Sequence, residues 1–291
     1  MRIVRRKKGN KIYLYLQHSF RKQGKVKTVE KYLGKAEELS DKDMKIKIQV
    51  IVDEILKESK EILYKNLEDI KKNFQSEWKR IPQTAKKKEL EEISIAFTYN
   101  TNAIEGSTIT LEETREIIHN KISPNKPLRD VKETEAHSKV FLNILNEKEE
   151  INSRLLLKWH KEIFGETKPD IAGQYRDYLV RVGAYLAPDW REVEKKMSEL
   201  IKFIKESRKV NPIELSAKAH YRFEKIHPFG DGNGRIGRLL VNHILWHSGY
   251  PMIIIEYKKR RYYYKALQKD EEGFITYFLR RYLSIHKKRY S

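Results

Sequence analysis

The stretch HPFGDGNGRIGR, residues His227–Arg238, carries more chemical information than any other part of this chain. Its glycines lie directly before a run of apolar residues at helical spacing, and Gly249 follows as a suitable helix end. The apolar positions are Leu239, Leu240, Val241, Ile244 and Leu245. This pattern predicts a loop that leads into the N-terminus of a buried helix. Because backbone N–H groups there are unpaired and the helix dipole favours negative charge, the loop is predicted to bind phosphate.

The same stretch contains the side chains that phosphate chemistry requires. Arg235 and Arg238 are one turn apart and are predicted to lie on the side of the helix that faces the loop. Asp231 supplies a carboxylate, and His227 supplies a base that titrates near neutral pH. Phosphoryl-type transfer depends on positioning, a metal and positive donors more than on covalent chemistry. The residues therefore predict a triphosphate site with a base beside it.

The pattern His-Pro-Phe-x-Asp-Gly-Asn-Gly-Arg-x-x-Arg resembles the signature of the Fic family, and every fixed position matches. The resemblance implies that His227 is the general base, which takes a proton from a hydroxyl of a target protein as that hydroxyl attacks the α-phosphate of ATP. It implies that Asp231 holds Mg²⁺ (or Mn²⁺). The implied phosphate ligands are the Gly232 and Gly234 amides with Asn233 for the anion hole, and Arg235 and Arg238 for the β- and γ-phosphates.

Two other kinds of site compete for this segment. Gly232, Gly234 and Gly237 have the spacing of a dinucleotide-binding fingerprint, and Glu256 follows about 20 residues on. That fingerprint must follow a strand, whereas the residues before Pro228 repeat at helical spacing, so the interpretation is disfavoured. A metal site at His243 and His247 is disfavoured as well, because no carboxylate-bearing motif accompanies the pair.

A second motif lies upstream, at Thr101–Gly106. It resembles the inhibitory signature of the same family, in which a glutamate pairs with the second signature arginine, here Arg238. The spacing puts Thr101 and Glu105 on one helix face, and Gly106 is a natural helix end. The alternative is a surface glutamate at a helix C-terminus. The order of the two motifs along the chain favours an inhibitory Glu105, in the subclass whose inhibitory helix precedes the catalytic core.

Two further segments resemble parts of the family that contact the target or the nucleotide. Residues 173–188 are similar to its flap, a hairpin that binds an extended target segment by strand addition. The flap residues expected near the nucleotide are Val182, Gly183, Ala184 and Tyr185. Tyr263 and Tyr264 are similar to an aromatic segment that borders the adenine. An ordinary hairpin and simple aromatic packing stay open as alternatives for the two segments.

Composition restricts the class of protein. The chain of 291 residues has no cysteine, no apolar run near the length of a membrane span and no signal-peptide pattern. These features predict a soluble, cytoplasmic protein without a membrane partner.

The first 35 residues are strongly basic, with 12 Lys or Arg and a single acid, Glu30. Alternating residues and turn signals predict three antiparallel strands at about 2–7, 11–20 and 26–33. We favour a solvated sheet that packs on the helical body with its lysines outward. Contact with nucleic acid or with an acidic protein is the alternative.

The expected fold is mainly α: a Fic-type helical bundle with a β-hairpin flap, plus a small N-terminal antiparallel β-sheet. The expected regions are 1–38 (basic sheet), 39–84 (connecting helices) and 85–285 (Fic domain), with the inhibitory helix at about 87–105.

The expected function is that of a protein adenylyltransferase that transfers AMP from ATP to a Ser, Thr or Tyr hydroxyl of a target protein. ATP and Mg²⁺ (or Mn²⁺) are the implied substrate and metal, and Glu105 paired with Arg238 is the implied inhibitor. Removal of AMP, with Glu105 orienting a water molecule, is one alternative. Transfer of another phosphate-bearing group and a basic nucleic-acid-binding regulator with a Fic core are two more, and a homo-oligomer is left open.

Overall fold

The computed structural model describes residues 2–22, 25–183, 185–207 and 209–290, without the side chains of residues 20–27, 41 and 52–59. The chain divides into two units, Met1–Asn66 and Leu67–Ser291, and the boundary falls inside the long first helix. Each unit is described by itself.

The first unit is a three-stranded antiparallel sheet followed by the beginning of a helix. The strands β1 (Arg2–Lys8), β2 (Lys11–Lys22) and β3 (Lys25–Lys35) pair in sequence order, and α1 (Asp41–Arg80) follows. Alternation along β2 places Leu14 and Leu16 on one side of the sheet. They are buried with Leu33, and Met44 and Ile48 of α1 pack against them. A small apolar cluster therefore holds this unit together.

The second unit is built from helices, with one short hairpin between α5 and α6. The helices are α2 (Gln83–Ile104), α3 (Leu111–Arg115), α4 (Leu128–Asn146), α5 (Ser153–Phe164), α6 (Val193–Glu206), α7 (Pro212–Ile226), α8 (Asn233–His247), α9 (Arg260–Leu267) and α10 (Glu271–Tyr290). The hairpin consists of β4 (Arg181–Val182) and β5 (Tyr185–Leu186). A turn of π-helix, Glu116–Asn120, extends α3.

Helix α8 lies at the centre of the main apolar core. Every residue from Asn233 to Leu245 is buried, and Leu239, Leu240 and the facing Phe223 of α7 are fully buried. Each such side chain stabilises the fold by about 1.5–3 kcal/mol relative to an exposed one. Packing along the helix thus holds α8, and with it the position of its N-terminus.

Local sequence signals set the ends of the helices next to the functional loop. The Asn211 side chain accepts a hydrogen bond from Ile213 N–H (3.0 Å) and caps α7, whose first residue is Pro212. Thr110 and Glu113 form a capping box at the start of α3. Such helix ends are encoded locally, because capping depends on residues that are close in the sequence.

The structure confirms the mainly helical fold with a small three-stranded antiparallel sheet and a hairpin. Helix α2 begins at Gln83, four residues before the predicted start, because Pro82 is its N-cap and places the boundary there. The segment expected to be one or two connecting helices is the single helix α1. The regional boundaries inferred from the sequence stay predictions. Among the described ranges, no helix combines the length and the apolarity needed to cross a bilayer.

Candidate active site

The loop that the sequence predicts to bind phosphate connects helices α7 and α8. Helix α7 ends at Ile226 because His227 adopts the left-handed conformation (φ 51°). Helix α8 begins at Asn233, after Gly232 at φ 78°. A Cβ atom on Gly232 would lie 2.4 Å from the Phe164 ring, so the loop requires glycine there. In the described part of the chain no side chain caps the start of α8, and its first amides face the loop.

Buried contacts on both sides fix the shape of the loop. The Asn233 side chain accepts from Phe229 N–H (2.9 Å) and donates to the Phe229 carbonyl (2.8 Å). His160 of α5 donates from Nε2 to the Asp231 carbonyl (3.0 Å), because its Nδ1 accepts from Gly173 N–H. The Oδ1 and Nδ2 atoms of Asn233 are both bonded to the Phe229 backbone. If Asn233 contributes to the predicted anion hole, its backbone N–H is therefore the donor.

Arg176, which is 4% exposed, connects the base to the flap. Its Nε donates to the His227 carbonyl (2.8 Å), Nη1 donates to the Tyr178 carbonyl (2.7 Å) and Nη2 donates to the Pro188 carbonyl (2.8 Å). Its backbone N–H donates to the Pro228 carbonyl (2.9 Å). One guanidinium therefore fixes the backbone of the predicted base and both ends of the hairpin.

His227 is positioned to act as a base in its neutral form. Burial lowers the pKa of its imidazole below the ordinary value of 6.5, and the Glu224 backbone opposes this shift only in part. At neutral pH the ring is therefore uncharged and able to accept a proton.

Glu105 reaches from the end of α2 to the start of α8. Its Oε1 accepts from Arg238 Nη2 at 2.6 Å, and Arg238 Nε donates to Thr101 Oγ1 at 2.6 Å. A Cβ atom on Gly234 would lie 2.2 Å from Glu105 Oε1, which places this carboxylate against the N-terminus of α8. Burial disfavours the charged form of Arg238, yet the Glu105 carboxylate raises its pKa, so the guanidinium stays charged. The carboxylate thus lies where the helix favours an anion.

The first signature arginine has a different carboxylate partner. Glu133 of α4, 5% exposed, accepts from Arg235 Nη1, from Lys168 Nζ (2.8 Å) and from Thr167 Oγ1 (2.9 Å). Lys168 Nζ also donates to Asp231 Oδ2 (2.7 Å). Burial raises the pKa of both carboxyls, but the two cations more than compensate and hold each pKa below its ordinary value. Both carboxylates are therefore ionised at neutral pH.

A buried polar cluster lies behind Arg238. His220 Nε2 and Tyr263 Oη are 2.7 Å apart, and Tyr263 is 1% exposed. Burial raises the pKa of the Glu224 carboxyl to about 7. Tyr263 is therefore buried by packing, which is the alternative that the sequence left open for this residue. Tyr264 is 41% exposed and donates to the Ile104 carbonyl (3.1 Å) at the end of α2.

The hairpin lies next to the loop and presents an apolar surface. β4 and β5 pair antiparallel, with Val182 opposite Tyr185 and Gly183 at φ 58° in the turn. Val182 is 42% exposed and Leu186 is 53% exposed. The Tyr185 hydroxyl donates to the Lys225 carbonyl (2.9 Å) at the end of α7. Ala184, also predicted near the nucleotide, lies outside the described residues.

The competing interpretations of the loop do not match the structure. A helix, α7, precedes the glycines, whereas a dinucleotide fingerprint needs a strand. His243 and His247 lie on α8 and bond to the carbonyls of Glu149 (3.0 Å) and Ile144 (2.7 Å). No cluster of three or more metal-ligating residues occurs among the described residues. Asp231 is a single carboxylate, which suits a metal that is also held by substrate phosphates.

Several residues of the site carry no local signal in the sequence. Glu133 lies in the charged stretch RDVKETE, and Lys168 lies in a Lys- and Glu-rich stretch. Arg176 lies within the segment that resembles the flap, and His160 lies in a helical stretch without a motif. Their roles depend on contacts between residues far apart in the chain.

Residues 150–245, which include the flap, the loop and most of α8, match the Fic/DOC family. The chain contains a Fic domain. It is 35% identical over 201 residues to the protein adenylyltransferase Fic of Nematostella vectensis, covering 67% of this chain and 47% of that protein. It is 32% identical over 213 residues to the protein adenylyltransferase fic-1 of Caenorhabditis elegans, covering 70% of this chain and 42% of that protein. The chain spans less than half the length of these curated relatives.

Solved structures share the fold of this Fic domain. A Fic domain containing signaling protein from Bacteroides thetaiotaomicron superimposes with a TM-score of 0.68 at 25% identity, over 76% of this chain and 94% of that one. The Caenorhabditis elegans Fic-1 fragment superimposes with a TM-score of 0.69 at 26% identity, over 86% of this chain and 77% of that fragment.

Proposed function

We propose that this chain is a protein adenylyltransferase that transfers AMP from ATP to a hydroxyl side chain of a target protein, and that Glu105 inhibits it. The observation that carries the proposal is the position of the Glu105 carboxylate against Gly234 and Arg238, at a helix N-terminus next to the base. The N-terminus of α8 favours an anion, and the Glu105 carboxylate occupies this position. We interpret it as a phosphate site that Glu105 blocks. The names of the relatives agree with this activity.

The phosphates would bind along the first turn of α8. The amides of Gly232, Asn233 and Gly234 offer fixed donors, and such preorganised donors stabilise charge at no cost of rearrangement. Arg235 is held by Glu133 at this end of the helix. Arg238 becomes available to the terminal phosphates only when Glu105 leaves it.

Asp231 is the residue that would hold Mg²⁺ or Mn²⁺. Its side chain is 45% exposed, in contrast to the buried Glu133, and one or two carboxylates plus phosphate oxygens are the usual protein ligands of Mg²⁺. The metal would neutralise charge on the phosphates. Lys168 supplies the positive charge next to this carboxylate in the present structure.

His227 would act as the general base. Its neutral ring accepts the proton of the target hydroxyl as the hydroxyl oxygen bonds to the α-phosphorus of ATP. The bond between the α-phosphorus and the bridging oxygen breaks, and pyrophosphate leaves. Arg176 fixes the position of the base relative to the flap, because it binds the His227 carbonyl and the carbonyls at both ends of the hairpin.

The target would bind at the hairpin. An extended segment can add to an exposed strand edge by main-chain hydrogen bonds, and its side chains would alternate between the face of the hairpin with Val182 and the face with Leu186. The hairpin residues between target and nucleotide would then be Val182, Gly183 and Tyr185. Tyr264 is better placed than the buried Tyr263 to border the adenine, because it is exposed. The need for ATP and the lack of cysteine favour a cytoplasmic location, which stays a prediction.

Transfer of label from α-labelled ATP tests the proposal. We expect the Glu105→Gly variant to label itself or proteins of a lysate in the presence of Mg²⁺, and the Glu105→Gly, His227→Ala double variant to lose about 10²–10⁴-fold in rate while it still binds ATP. Undiminished labelling by the double variant would remove the base assignment. Absence of labelling, together with release of AMP from a modified protein, would instead support the removal reaction.

A further inference from the structure

The N-terminal sheet has one covered face and one open face. Leu14, Leu16 and Leu33 form the covered face, which packs on Met44 and Ile48 of α1. Side chains alternate along a strand, so the neighbours of these leucines point to the other side of the sheet. The first unit therefore packs one face of the sheet into its core and leaves the other face accessible.

Three tyrosines meet on the open face, which we name the tyrosine face: Tyr13 and Tyr15 of β2 and Tyr32 of β3. The Tyr32 ring centroid is 5.4 Å from that of Tyr15 and 6.2 Å from that of Tyr13. Tyr32 is 52% exposed, and the other two are partly exposed. Alternation along β2 places Tyr13 and Tyr15 on this face, and pairing with β3 adds the third ring.

Cations surround these rings on the same face. Register pairs Arg6 with Tyr13, Arg2 with Gln17 and Lys8 with Lys11, and directly opposite residues share a face. The Arg6 guanidinium lies 5.5 Å from the centre of the Tyr15 ring and also pairs with Glu30 at 2.6 Å.

Arg6 thus neutralises the single acid of the first 35 residues, against 12 Lys or Arg in the same segment. The face combines exposed aromatic rings with an excess of positive charge.

The sequence alone favoured a solvated sheet, but the grouping of the rings and cations on one face favours the alternative, and we propose that the tyrosine face binds single-stranded nucleic acid. Unpaired bases can stack on aromatic side chains, and a positive surface binds the phosphate backbone. Duplex DNA hides its base faces and gives the rings nothing to stack on. An acidic polypeptide would use the cations and not the rings. This binding site is separate from the proposed AMP transfer, whose residues all lie in the second unit.

Fluorescence anisotropy with the full chain tests the proposal. The probes are labelled single-stranded DNA and RNA of mixed sequence, and the duplex of the same sequence. We expect tighter binding of the single strands than of the duplex. The logarithm of the affinity should fall with the logarithm of the salt concentration with a slope of about −0.7 for each phosphate contact.

The aromatic contribution is tested with matched tyrosine variants. Tyr32→Ala should weaken binding of the single strand roughly 5- to 100-fold, whereas Tyr32→Phe keeps the ring and should bind like the wild type. Tyr262→Ala removes a tyrosine that is 69% exposed in the second unit and should have no effect. Equal binding by Tyr32→Ala and the wild type would overturn the proposal.

Neighbouring lysines test which face carries the charge. Lys8 pairs with Lys11 on the tyrosine face, while Lys7 pairs with Ile12 on the opposite side. Lys8→Gln should reduce the salt slope by about 0.7, and Lys7→Gln should reduce it less.

Three other results would overturn the proposal: no binding of any nucleic acid, equal or tighter binding of the duplex, and competition by polyglutamate as strong as by unlabelled single strand. Excess ATP should not displace the probe, and displacement would locate binding at the Fic loop instead. The AMP-transfer assay is independent of each of these outcomes.

Discussion

The two signature arginines of this Fic domain both pair with a glutamate, but the two pairs differ in burial and in number of partners. Glu133 has a side chain that is 7% exposed and accepts from Arg235, Lys168 and Thr167. Glu105 has a side chain that is 28% exposed and lies one residue past the end of α2. One glutamate is enclosed within the fold, and the other lies at a helix end next to solvent.

We infer from this difference that the Glu133 pair is structural and, under the proposed function, that the Glu105 pair is regulatory. Removing one partner of a buried ion pair is costly because the other charge stays buried without compensation. The Glu105 carboxylate is partly exposed at a helix end and can exchange Arg238 for water. Arg238 itself is 3% exposed, so under the proposed function the phosphates of ATP would replace Glu105 as its partner. Arg235, by contrast, keeps the enclosed Glu133 as its partner.

Neutralising the enclosed glutamate should have the largest effect. Glu133→Gln removes the enclosed carboxylate that Arg235 and Lys168 share and leaves them only the more exposed Asp231, and we expect it to lower the free energy of unfolding by about 3–5 kcal/mol. Chemical denaturation measures this value. The control is Glu92→Gln, which breaks a pair with Arg115 that is 46% and 44% exposed and should cost at most about 1 kcal/mol. Equal losses in the two variants would contradict the distinction.

Removing the exposed glutamate should raise activity. Glu105→Gly frees Arg238 and removes a carboxylate from the anion site, so we expect autolabelling at saturating ATP and Mg²⁺ to rise about 10- to 100-fold, which corresponds to one charge-assisted hydrogen bond. Arg238→Ala also breaks the pair but removes a phosphate ligand, and its activity should stay low. Equal rates for the wild type and Glu105→Gly would make Thr101–Gly106 an ordinary helix end.

Lys168 connects the enclosed Glu133 to Asp231, the proposed metal ligand, and metal binding therefore gives a further test. Its ammonium competes with a divalent cation for Asp231, so Lys168→Met should lower the Mn²⁺ concentration needed for half-saturation by about 3- to 10-fold in the presence of ATP. The electron paramagnetic resonance signal of free Mn²⁺ measures this concentration without reference to turnover. Asp231→Asn is the control and should raise the concentration. An unchanged Mn²⁺ requirement in Lys168→Met would show that the two cations do not compete.

The pH dependence of labelling is the smallest expected effect. The neutral form of His227 is the proposed base, and burial holds its pKa below 6.5. The rate should therefore be constant above that pH and fall only as the pH drops through the lowered pKa. Rates of the Glu105→Gly variant between about pH 5 and 8 measure this profile. A half-maximal rate at or above pH 6.5 would mean that burial does not control this group.

Much of the fold could be predicted because its signals are local. The spacing of Leu239, Leu240 and Ile244 predicted α8, and the alternation in β2 predicted the sheet. The i, i+4 spacing of Thr101 and Glu105 predicted that both lie on one face, and the structure brings both to Arg238. Periodicity and capping depend on neighbours in the sequence, which explains why these parts were accessible.

The contacts that hold the site together could not be predicted. Glu133 and Arg235 are 102 residues apart, and nothing in a stretch of mixed charges indicates which carboxylate will be enclosed. The burial of Tyr263 against His220 and the use of the Asn233 side chain within the loop also depend on packing between helices. Tertiary contacts decide these roles, and a single sequence does not display them.

The bonds of Arg176 have a consequence for how new targets are acquired. Because its guanidinium binds the carbonyls of Tyr178, Pro188 and His227, the hairpin begins and ends at fixed points beside the base. We expect the imidazole to stay in place when the residues between those points change in length or composition. Under the proposed function the hairpin would thus be an exchangeable segment, and the choice of target could diversify by loop replacement while the residues of the reaction stay the same.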